Sequence, residues 1–460
     1  MRLALGRFES SPFTEADLDE LRKEWFKLLP NPVEASTIPP DQPFFLHAVA
    51  QSLRLMSDPD VDIIDCKGES SYVSGVHLGH LSPLGPTPQV YRPRAKDPSY
   101  DESDWSLNMD NYFRGSEEEA ERILAEQFRE EESAGRMKPL SEKEAQKMYP
   151  GNALRIAAQG ILDKPDGGHR IIHDGTHGVH LNNEIRIEDR LENPGPRELA
   201  CIMETSEAAD ERVIFAINAD IAKAHRRVLA RPSDWGAQAC KTSSGSSVVW
   251  LNKVGTFGVA SAAFWWSRLM GLVGRHALNV MGKDWIFVLT FVDDLHIAAG
   301  GKNRWLSIWR FLVAMELVGT PFSYRKFRGG FALDYVGYWM DYSRFEIGIS
   351  ERRTAWLVNF IDKLEASGWL VMVRRFHEFH GRLGFSAQVL PWIRPLLAPG
   401  YAWLAAVSKN STMRVPELVA TVCIFIRKKF TDGLRKIPCV RAETDLGKSS
   451  VQMRNAKQER

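Results

Sequence analysis

The chain has 460 residues, of which 44% are hydrophobic and 25% are charged, and its formal net charge is +1. This length and composition fit a globular protein of about two to four folding units with a substantial buried core. Five scattered cysteines, no signal peptide and no apolar run of bilayer length argue against secreted and membrane proteins, so we expect an intracellular chain, cytoplasmic or nuclear, without a membrane partner.

The charges are unevenly distributed along the chain. Residues 1–140 hold 15 Lys and Arg against 26 Asp and Glu, a balance of −11, whereas the remaining residues have a balance of +12. Phosphate contacts supply most of the sequence-independent affinity for nucleic acids. The basic part of the chain therefore favours a polyanionic partner, and the acidic part is a poor candidate for binding one.

The N-terminal quarter of the sequence is acidic and interrupted by prolines. We predict that residues 1–115 form an N-terminal extension that is partly ordered and has no assigned role. Ser116 precedes an acidic run, which predicts a capped helix extending toward Arg136.

A Pro-Asp-Gly-Gly turn follows Lys164 and lies between two strand-like runs, with Arg170 on the second run. Cations on such a hairpin suit the β- and γ-phosphates of a nucleotide, since Arg binds phosphate in bidentate fashion. A solvated surface hairpin is the alternative. The next segment holds His173, His177 and His180, but no cysteine joins them and their spacing matches no zinc template, so we do not predict a zinc site.

Residues 213–220 form an apolar strand pattern that ends at Asp220 and is followed by a helix-compatible segment through His225. Read alone, Asp220 could be the N-cap of that segment. Further on, Phe257 and Gly258 precede a helical pattern over residues 260–281. Glycine at a helix start permits close approach of a nucleotide and the helix N-terminus favours phosphate, while the apolar stripe predicts burial.

The clearest signal is the pair Asp293 and Asp294, at the tip of a predicted β-hairpin with strand-like flanks at 285–291 and 295–299. Two adjacent carboxylates repel each other unless one is protonated or a cation neutralises them. A plain Asp-Asp turn is the alternative. If Asp220 meets the pair across neighbouring strands, three carboxylates can hold two Mg²⁺ ions about 3.5–4 Å apart, the arrangement used for in-line nucleotidyl transfer.

The C-terminal part of the sequence has helical periodicity from Glu351 to about Lys436. Residues 351–440 hold 14 Lys and Arg against 6 Asp and Glu. This pattern fits either helices that bind duplex backbone or a helical packing domain with a solvated basic face. Residues 441–460 resemble a polar tail.

Together these motifs resemble the reverse transcriptases, RNA-directed DNA polymerases, of LTR- and DIRS-like retroelements. Order and spacing agree over about residues 160–345. The matching segments are Lys164-Pro-Asp-Gly-Gly-His-Arg170 with Asp174 and Leu181-Asn182 in the fingers, Asp220-Ile-Ala-Lys-Ala-His225, Phe257-Gly-Val through Arg268-Leu-Met270, Phe291-Val-Asp-Asp294, Lys326, and Tyr335-Val-Gly-Tyr338.

The resemblance implies an α+β fold of the right-hand polymerase type, with fingers, a palm of antiparallel sheet backed by helices, and a helical thumb-like region. The implied boundaries are residues 116–256 for the fingers, with palm strand 216–225 inserted, 257–345 for the palm and 350–440 for the thumb or connection. The implied reaction is RNA-templated addition of dNTPs to the 3′ end of a primer, on an RNA/DNA template–primer.

The resemblance also implies roles for individual residues. Two Mg²⁺ ions, or Mn²⁺, would be bound by Asp220, Asp293 and Asp294, with Lys326 as the acid that protonates the pyrophosphate. The nucleotide would be bound by Lys164, Arg170, Ile221, His225, Phe257 and Gly258. The primer end would be positioned by Tyr335, Val336, Gly337 and Tyr338.

Two alternatives stay open. One is an RNA-dependent RNA polymerase or another palm-type nucleotidyltransferase, since His225 stands where the family has Tyr or Phe against the sugar 2′ position. The other is a catalytically silent, nucleic-acid-binding retroelement remnant. We further expect no RNase H activity, because the residues after Val440 offer only Glu443, Asp445 and Glu459, without strand-forming runs.

Overall fold

The computed structural model of the protein describes residues 8–66, 70–88, 111–164, 167–189, 191–208 and 213–439. The α-helices within these ranges are α1 (Glu15–Lys27), α2 (Pro32–Ala35), α3 (Leu46–Leu55), α4 (Glu117–Ser133), α5 (Glu142–Met148), α6 (Leu181–Glu184), α7 (Pro196–Ala208), α8 (Ala260–Met281), α9 (Arg304–Leu317), α10 (Glu351–Ala366), α11 (Val373–Ser386), α12 (Ala398–Ala406) and α13 (Glu417–Thr431).

The strands in the same ranges are β1 (Met137–Ser141), β2 (Ile156–Ala157), β3 (Gln159–Asp163), β4 (His169–His173), β5 (Ile214–Asp220), β6 (Ala239–Cys240), β7 (Val248–Asn252), β8 (Ile286–Phe291), β9 (Asp294–Gly300), β10 (Arg328–Gly330), β11 (Ala332–Tyr335), β12 (Tyr338–Asp341), β13 (Glu346–Ile349), β14 (Leu370–Met372), β15 (Thr412–Arg414) and β16 (Lys436–Pro438).

The central sheet is antiparallel, with the strand order β10-β5-β9-β8. Side chains alternate between its two faces, as the pleat of a strand requires. From β5, Phe215 and Ile217 pack with α8 and α9 on one face. On the other face, Ile214 and Ala216 pack with α7 and belong to the same buried cluster as α10, α11 and α13. Because both faces are covered, β5 is apolar apart from the hydrogen-bonded Asn218, and only its end carries a carboxylate.

The N-terminal residues pack directly on the central sheet unit. Phe44, Leu46 and Val49 belong to the same buried cluster as the residues of α8. Two buried acidic residues of this segment form ion pairs with α8: Asp58 with Arg275 and Asp60 with Arg268, both at 2.6 Å. The described part of the predicted extension is therefore an integral layer of the fold, and some of its negative charge neutralises arginines of α8.

The predicted fingers contain a four-stranded sheet of order β1-β7-β6-β2, in which β2 and β6 are parallel, and a separate β3–β4 hairpin. Helix α4 begins as predicted, because the Ser116 side chain accepts a hydrogen bond from the Glu119 N–H at 3.2 Å. It ends at Ser133, short of Arg136.

The region after the central sheet is mainly helical. Helices α10, α11 and α13 bury one apolar face each in a common cluster that also contains β11, β12 and β13. The helical pattern is interrupted by the β14–β15 pair and by a 3₁₀ segment at Pro391–Leu397. The predicted polar tail lies outside the described residues. None of the helices in the described part of the chain is long and apolar enough to span a bilayer.

Candidate active site

Three carboxylates meet at one end of the central sheet. The register of β5 with β9 places Asp220 opposite Asp294, and β8 and β9 are joined by the two-residue turn of Val292 and Asp293. The Asp293 carbonyl accepts a hydrogen bond from the Ile221 N–H at 2.9 Å. The predicted convergence of Asp220 with the Asp293–Asp294 hairpin is therefore present in the fold.

The hairpin tip is held in a strained conformation. Val292 has φ +57°, a region that β-branched residues rarely adopt. Its carbonyl accepts a hydrogen bond at 2.7 Å from the indole Nε1 of Trp266, a fully buried side chain of α8. Such strain costs about 1–3 kcal/mol and is concentrated at functional sites. Helix α8 thus fixes the turn that presents the two carboxylates.

The electrostatics of the site disfavour three negative charges. Burial and the neighbouring carboxylates of Asp293 and Asp220 raise the pKa of Asp294 to about 6. Burial and the Asp220 carboxylate also raise the pKa of Asp293. Asp294 is exposed to solvent, and at an exposed carboxyl the repulsion by neighbouring carboxylates raises the pKa more than burial does. The site is consequently favourable for a cation.

Lys326 supplies one positive charge at this site. Its Nζ donates to both carboxylate oxygens of Asp220, at 2.9 and 3.0 Å. Lys326 ends the 3₁₀ turn Tyr324–Lys326, and the Ser323 N–H just before it donates to the Asp220 carbonyl at 2.8 Å. The predicted acid and the predicted metal ligand are therefore direct neighbours.

The three carboxylates are chemically suitable ligands for a divalent cation, because Mg²⁺ and Mn²⁺ prefer hard oxygen ligands. In the described ranges no group of three or more His, Cys, Asp or Glu side chains is already arranged to hold a metal ion. Asp220 is bound by Lys326 in this structure. A cation bound by all three carboxylates would therefore compete with Lys326 for the oxygens of Asp220.

Side-chain contacts connect strand β4 of the β3–β4 hairpin to this end of the sheet. The exposed ring of Phe257 lies 5.5 Å from the Arg170 guanidinium and 4.8 Å, edge to face, from the His225 ring. His225 itself is buried, and burial lowers the pKa of its imidazole. Arg170, His225 and Phe257, which the sequence predicts to bind the nucleotide, are thus brought together beside the carboxylates.

Gly258 is required by close backbone packing at the start of α8. Its φ is +99°, and an added Cβ would lie 1.7 Å from the carbonyl oxygen of His173. Asn182, which the sequence analysis did not assign to the site, donates to the Gly258 carbonyl at 2.7 Å and accepts from the Ala260 N–H at 2.8 Å. The Leu-Asn pair in the fingers signature was the signal that could have identified Asn182.

Two other predicted nucleotide-binding residues are placed differently. The Ile221 side chain is buried in the core, so only its backbone reaches the site. Lys164 is exposed at the end of the β3–β4 hairpin, where its N–H donates to the Gly168 carbonyl at 2.7 Å.

Two of the three histidines in residues 173–180 have side-chain contacts at their Nδ1 atoms. The buried His173 Nδ1 lies 3.2 Å from Gln159 Nε2, and His177 Nδ1 lies 2.8 Å from the Asp174 carboxylate. Burial lowers the pKa of His173 to about 4.

The predicted primer-positioning residues form the β11–β12 hairpin. Val336 and Gly337 make its turn, both with positive φ, while the side chains of Tyr335 and Tyr338 are buried. The Tyr335 hydroxyl lies 3.2 Å from the carbonyls of both Leu289 and Asp294, so the hairpin contacts β8 and β9 directly. The buried tyrosines fix the hairpin, and its two turn residues are partly exposed.

The segment after Asp220 departs from the prediction. A helix-compatible pattern forms only a short 3₁₀ turn, Ala224–Arg227, because Lys223 before it adopts a left-handed conformation with φ +57°. The turn is held by Glu131 of α4, whose buried carboxylate accepts from Lys223 at 2.8 Å and from Arg226 at 2.9 Å. No local sequence signal linked Glu131 to this turn, because Lys223 and Arg226 lie more than ninety residues after it.

No family model and no curated protein matches this chain. The chain is similar to two solved structures of foamy viral protease-reverse transcriptase. The dRH form in complex with double-stranded DNA has a TM-score of 0.52 and 11% identity, and the match covers 92% of this chain and 62% of that one. A second complex with double-stranded DNA has a TM-score of 0.50 and 10% identity, with 92% and 72% covered.

The chain thus spans 62% of the length of the first of these structures. At this level of identity the similarity establishes the fold alone. The predicted α+β class, with antiparallel sheets and helices in the arrangement of a reverse-transcriptase polymerase, is confirmed. The fold of this chain is that of a reverse transcriptase.

Proposed function

We propose that this chain is an RNA-directed DNA polymerase that adds dNTPs to the 3′ end of a primer on an RNA template. The observation that carries the proposal is the meeting of Asp220, Asp293 and Asp294 at one end of the palm sheet, next to Lys326. Three carboxylates beside one exposed lysine favour nucleotidyl transfer over a purely structural turn, because a structural turn would not need three carboxylates whose mutual repulsion costs stability. We further propose an origin in an LTR- or DIRS-like retroelement, on the motifs alone.

The proposed metal site consists of Asp220, Asp293 and Asp294. Two Mg²⁺ ions, or Mn²⁺, would lower the pKa of the primer 3′ hydroxyl and neutralise the triphosphate.

The other residues bind and orient the substrates. Arg170 and Lys164 of the fingers hairpin would bind phosphates, since guanidinium and ammonium groups pair with phosphate oxygens. The exposed ring of Phe257, supported by His225, would border the sugar, and the Gly258 backbone permits close approach. After release from Asp220, Lys326 would donate a proton to the departing pyrophosphate.

The template–primer would be bound by the basic C-terminal region and by the β11–β12 hairpin. Val336 and Gly337 form the partly exposed turn of that hairpin, and Tyr335 connects it to Asp294. We propose the division into fingers (116–256, with 216–225 in the palm), palm (257–345) and thumb (350–440). The described residues within the range 8–88 contribute a layer to the palm in this division.

Preference for ribonucleotides is the specific alternative. His225 is smaller than the Tyr or Phe of similar enzymes, and its buried ring lies beside Phe257 where the sugar would pass. A smaller ring leaves more room for a 2′ hydroxyl. An RNA polymerase activity of the same palm would use the same carboxylates.

Primer extension on an RNA template, with dNTPs and rNTPs supplied separately, tests the proposal. Incorporation of dNTPs at the higher kcat/KM is the expected result. Preferential rNTP incorporation would establish the RNA polymerase alternative. Template–primer binding without incorporation of either nucleotide, in Mg²⁺ and in Mn²⁺, would establish a silent nucleic-acid-binding protein.

A further inference from the structure

The N-terminal segment reaches the turn that carries Lys326. Phe8 is 4% exposed, and its ring packs edge to face against Tyr324 and Phe327, with centroid distances of 5.7 and 5.6 Å. Phe322 completes this ring cluster, at 5.7 Å from Tyr324 and 5.4 Å from Phe327. An aromatic side chain more than 300 residues away in sequence thus closes the packing around the turn.

The same turn is tied to the N-terminal segment by polar contacts. The Tyr324 hydroxyl donates to the Glu316 carboxylate at the end of α9. Ser11 Oγ donates to the same carboxylate oxygen at 3.5 Å, and Arg22 Nη2 donates to the Glu316 carbonyl at 3.0 Å. Residues 8–22 therefore contact both the ring cluster and the residue that holds Tyr324.

The position of Lys326 depends on this turn. Its side chain is 65% exposed, and it extends from the turn to the Asp220 carboxylate. A long exposed side chain has many rotamers, so its reach is set mainly by where its backbone is held. Packing and hydrogen bonds around Tyr324 and Phe327 supply that restraint.

We propose that Phe8 is a positioning residue for Lys326, acting through Tyr324, and that the N-terminal segment is in this way part of the catalytic unit. The inference rests on the proposed polymerase function, in which Lys326 protonates the leaving pyrophosphate. It assigns a role to the segment that the sequence left without one.

The test is a double-mutant cycle in single-turnover nucleotide incorporation by the full chain. Lys326→Ala should lower the incorporation rate by about a hundredfold, within the range for loss of a general acid. Phe8→Ala should lower it by about tenfold, since small displacements of catalytic groups are costly, with nucleotide and template–primer affinity within about twofold of wild type. Phe8→Ala combined with Lys326→Ala should be no slower than Lys326→Ala alone.

The matched control is Phe26→Ala, which truncates a similarly buried ring of the same segment in a separate cluster with Phe45. It should leave the incorporation rate within about twofold of wild type, with any loss confined to stability. Phe8→Leu, which keeps most of the side-chain volume, should retain most of the wild-type incorporation rate. It replaces Phe8→Ala in the test if Phe8→Ala does not fold. Tyr324→Phe, which keeps the ring and removes the hydrogen bond to Glu316, should give an intermediate loss.

The outcomes separate the two claims. No incorporation by the wild-type chain, or an unchanged rate in Lys326→Ala, contradicts the proposed function or the acid role of Lys326. If Lys326→Ala is slow but the effects of Phe8→Ala and Lys326→Ala multiply, Phe8 acts independently of Lys326 and the inference is wrong. An equal loss of rate in Phe8→Ala and Phe26→Ala also contradicts it.

Discussion

The buried carboxylate of Glu131 joins the fingers to the turn that carries His225, and its removal should destabilise both. It accepts hydrogen bonds from Arg136 at 2.7 and 3.0 Å, and from Lys223 and Arg226 at 2.8 and 2.9 Å. Glu131→Gln keeps the shape and removes the charge. The guanidinium groups of Arg136 and Arg226, whose side chains are 10% and 12% exposed, would then lack a carboxylate partner.

Leaving buried charges without their partner costs about 3–5 kcal/mol. Because Gln retains an amide oxygen that can accept a hydrogen bond, we expect the free energy of unfolding to fall by about 3 kcal/mol. This is a large part of the about 5–15 kcal/mol that stabilises a folded domain. The released turn should also reduce nucleotide affinity, because Phe257 would lose the support of the His225 ring.

Urea unfolding of the wild-type and variant chains measures the loss of stability. The matched control is Glu132→Gln, the next residue of α4, which is exposed and should change the free energy of unfolding by less than about 0.5 kcal/mol. Equal effects of the two substitutions would show that the ion cluster contributes no stability, and would contradict the reasoning.

The pH dependence of unfolding gives an independent check that the Glu131 carboxylate stabilises the fold in its charged form. Against the effect of burial, Arg136, Arg226 and Lys223 hold the pKa of Glu131 well below its ordinary value of 4.5. Stability from a lowered pKa is fully present above the unfolded value and is lost as the pH falls toward the folded value. The gap between wild type and Glu131→Gln should therefore stay constant down to about pH 4.5 and narrow below it.

Three further substitutions test individual parts of the site. His225→Tyr should strengthen the preference for dNTPs over rNTPs in extension assays, because a larger ring crowds a 2′ hydroxyl, and unchanged selectivity would place this residue away from the sugar. Gly258→Ala should cost more than about 1–3 kcal/mol in urea unfolding, from its φ of +99° and the backbone clash, whereas Gly274→Ala, in open helical space, should be neutral or stabilising. Tyr335→Phe should slow single-turnover extension by about two- to tenfold through one lost hydrogen bond. Tyr338→Phe should slow it less. Equal losses of rate would show that the contact of the Tyr335 hydroxyl with Asp294 has no particular effect on extension.

The sequence predicted well those elements whose signals are local. The strand ending at Asp220, the Asp293–Asp294 hairpin and the helix over 260–281 were each predicted within a residue or two, because their periodicity and turn residues lie within short windows. Pairing of β5 with β9 then followed from the chemistry of the carboxylates, since a shared cation requires them to meet.

Contacts between distant segments could not be predicted in the same way. The sequence predicts only a partly ordered extension for the acidic N-terminal residues. In the structure, Asp58 and Asp60 pair with arginines of α8 that are more than 200 positions away. The helix-compatible segment after Asp220 became a 3₁₀ turn because Glu131 and the left-handed Lys223 fix it. Tertiary ion pairs of this kind leave no periodic trace in a single sequence.

Comparison of the wild-type chain with Asp293→Asn, in parallel assays of primer extension and template–primer binding, tests the central claim most directly. The substitution removes one negative charge from the carboxylate cluster and keeps the shape of the side chain, while phosphate contacts are made mainly by basic residues. The account predicts that Asp293→Asn binds template–primer like wild type and extends it at less than about 1% of the wild-type rate. Extension by Asp293→Asn at a rate near that of wild type would contradict the assignment of this carboxylate cluster as the catalytic centre.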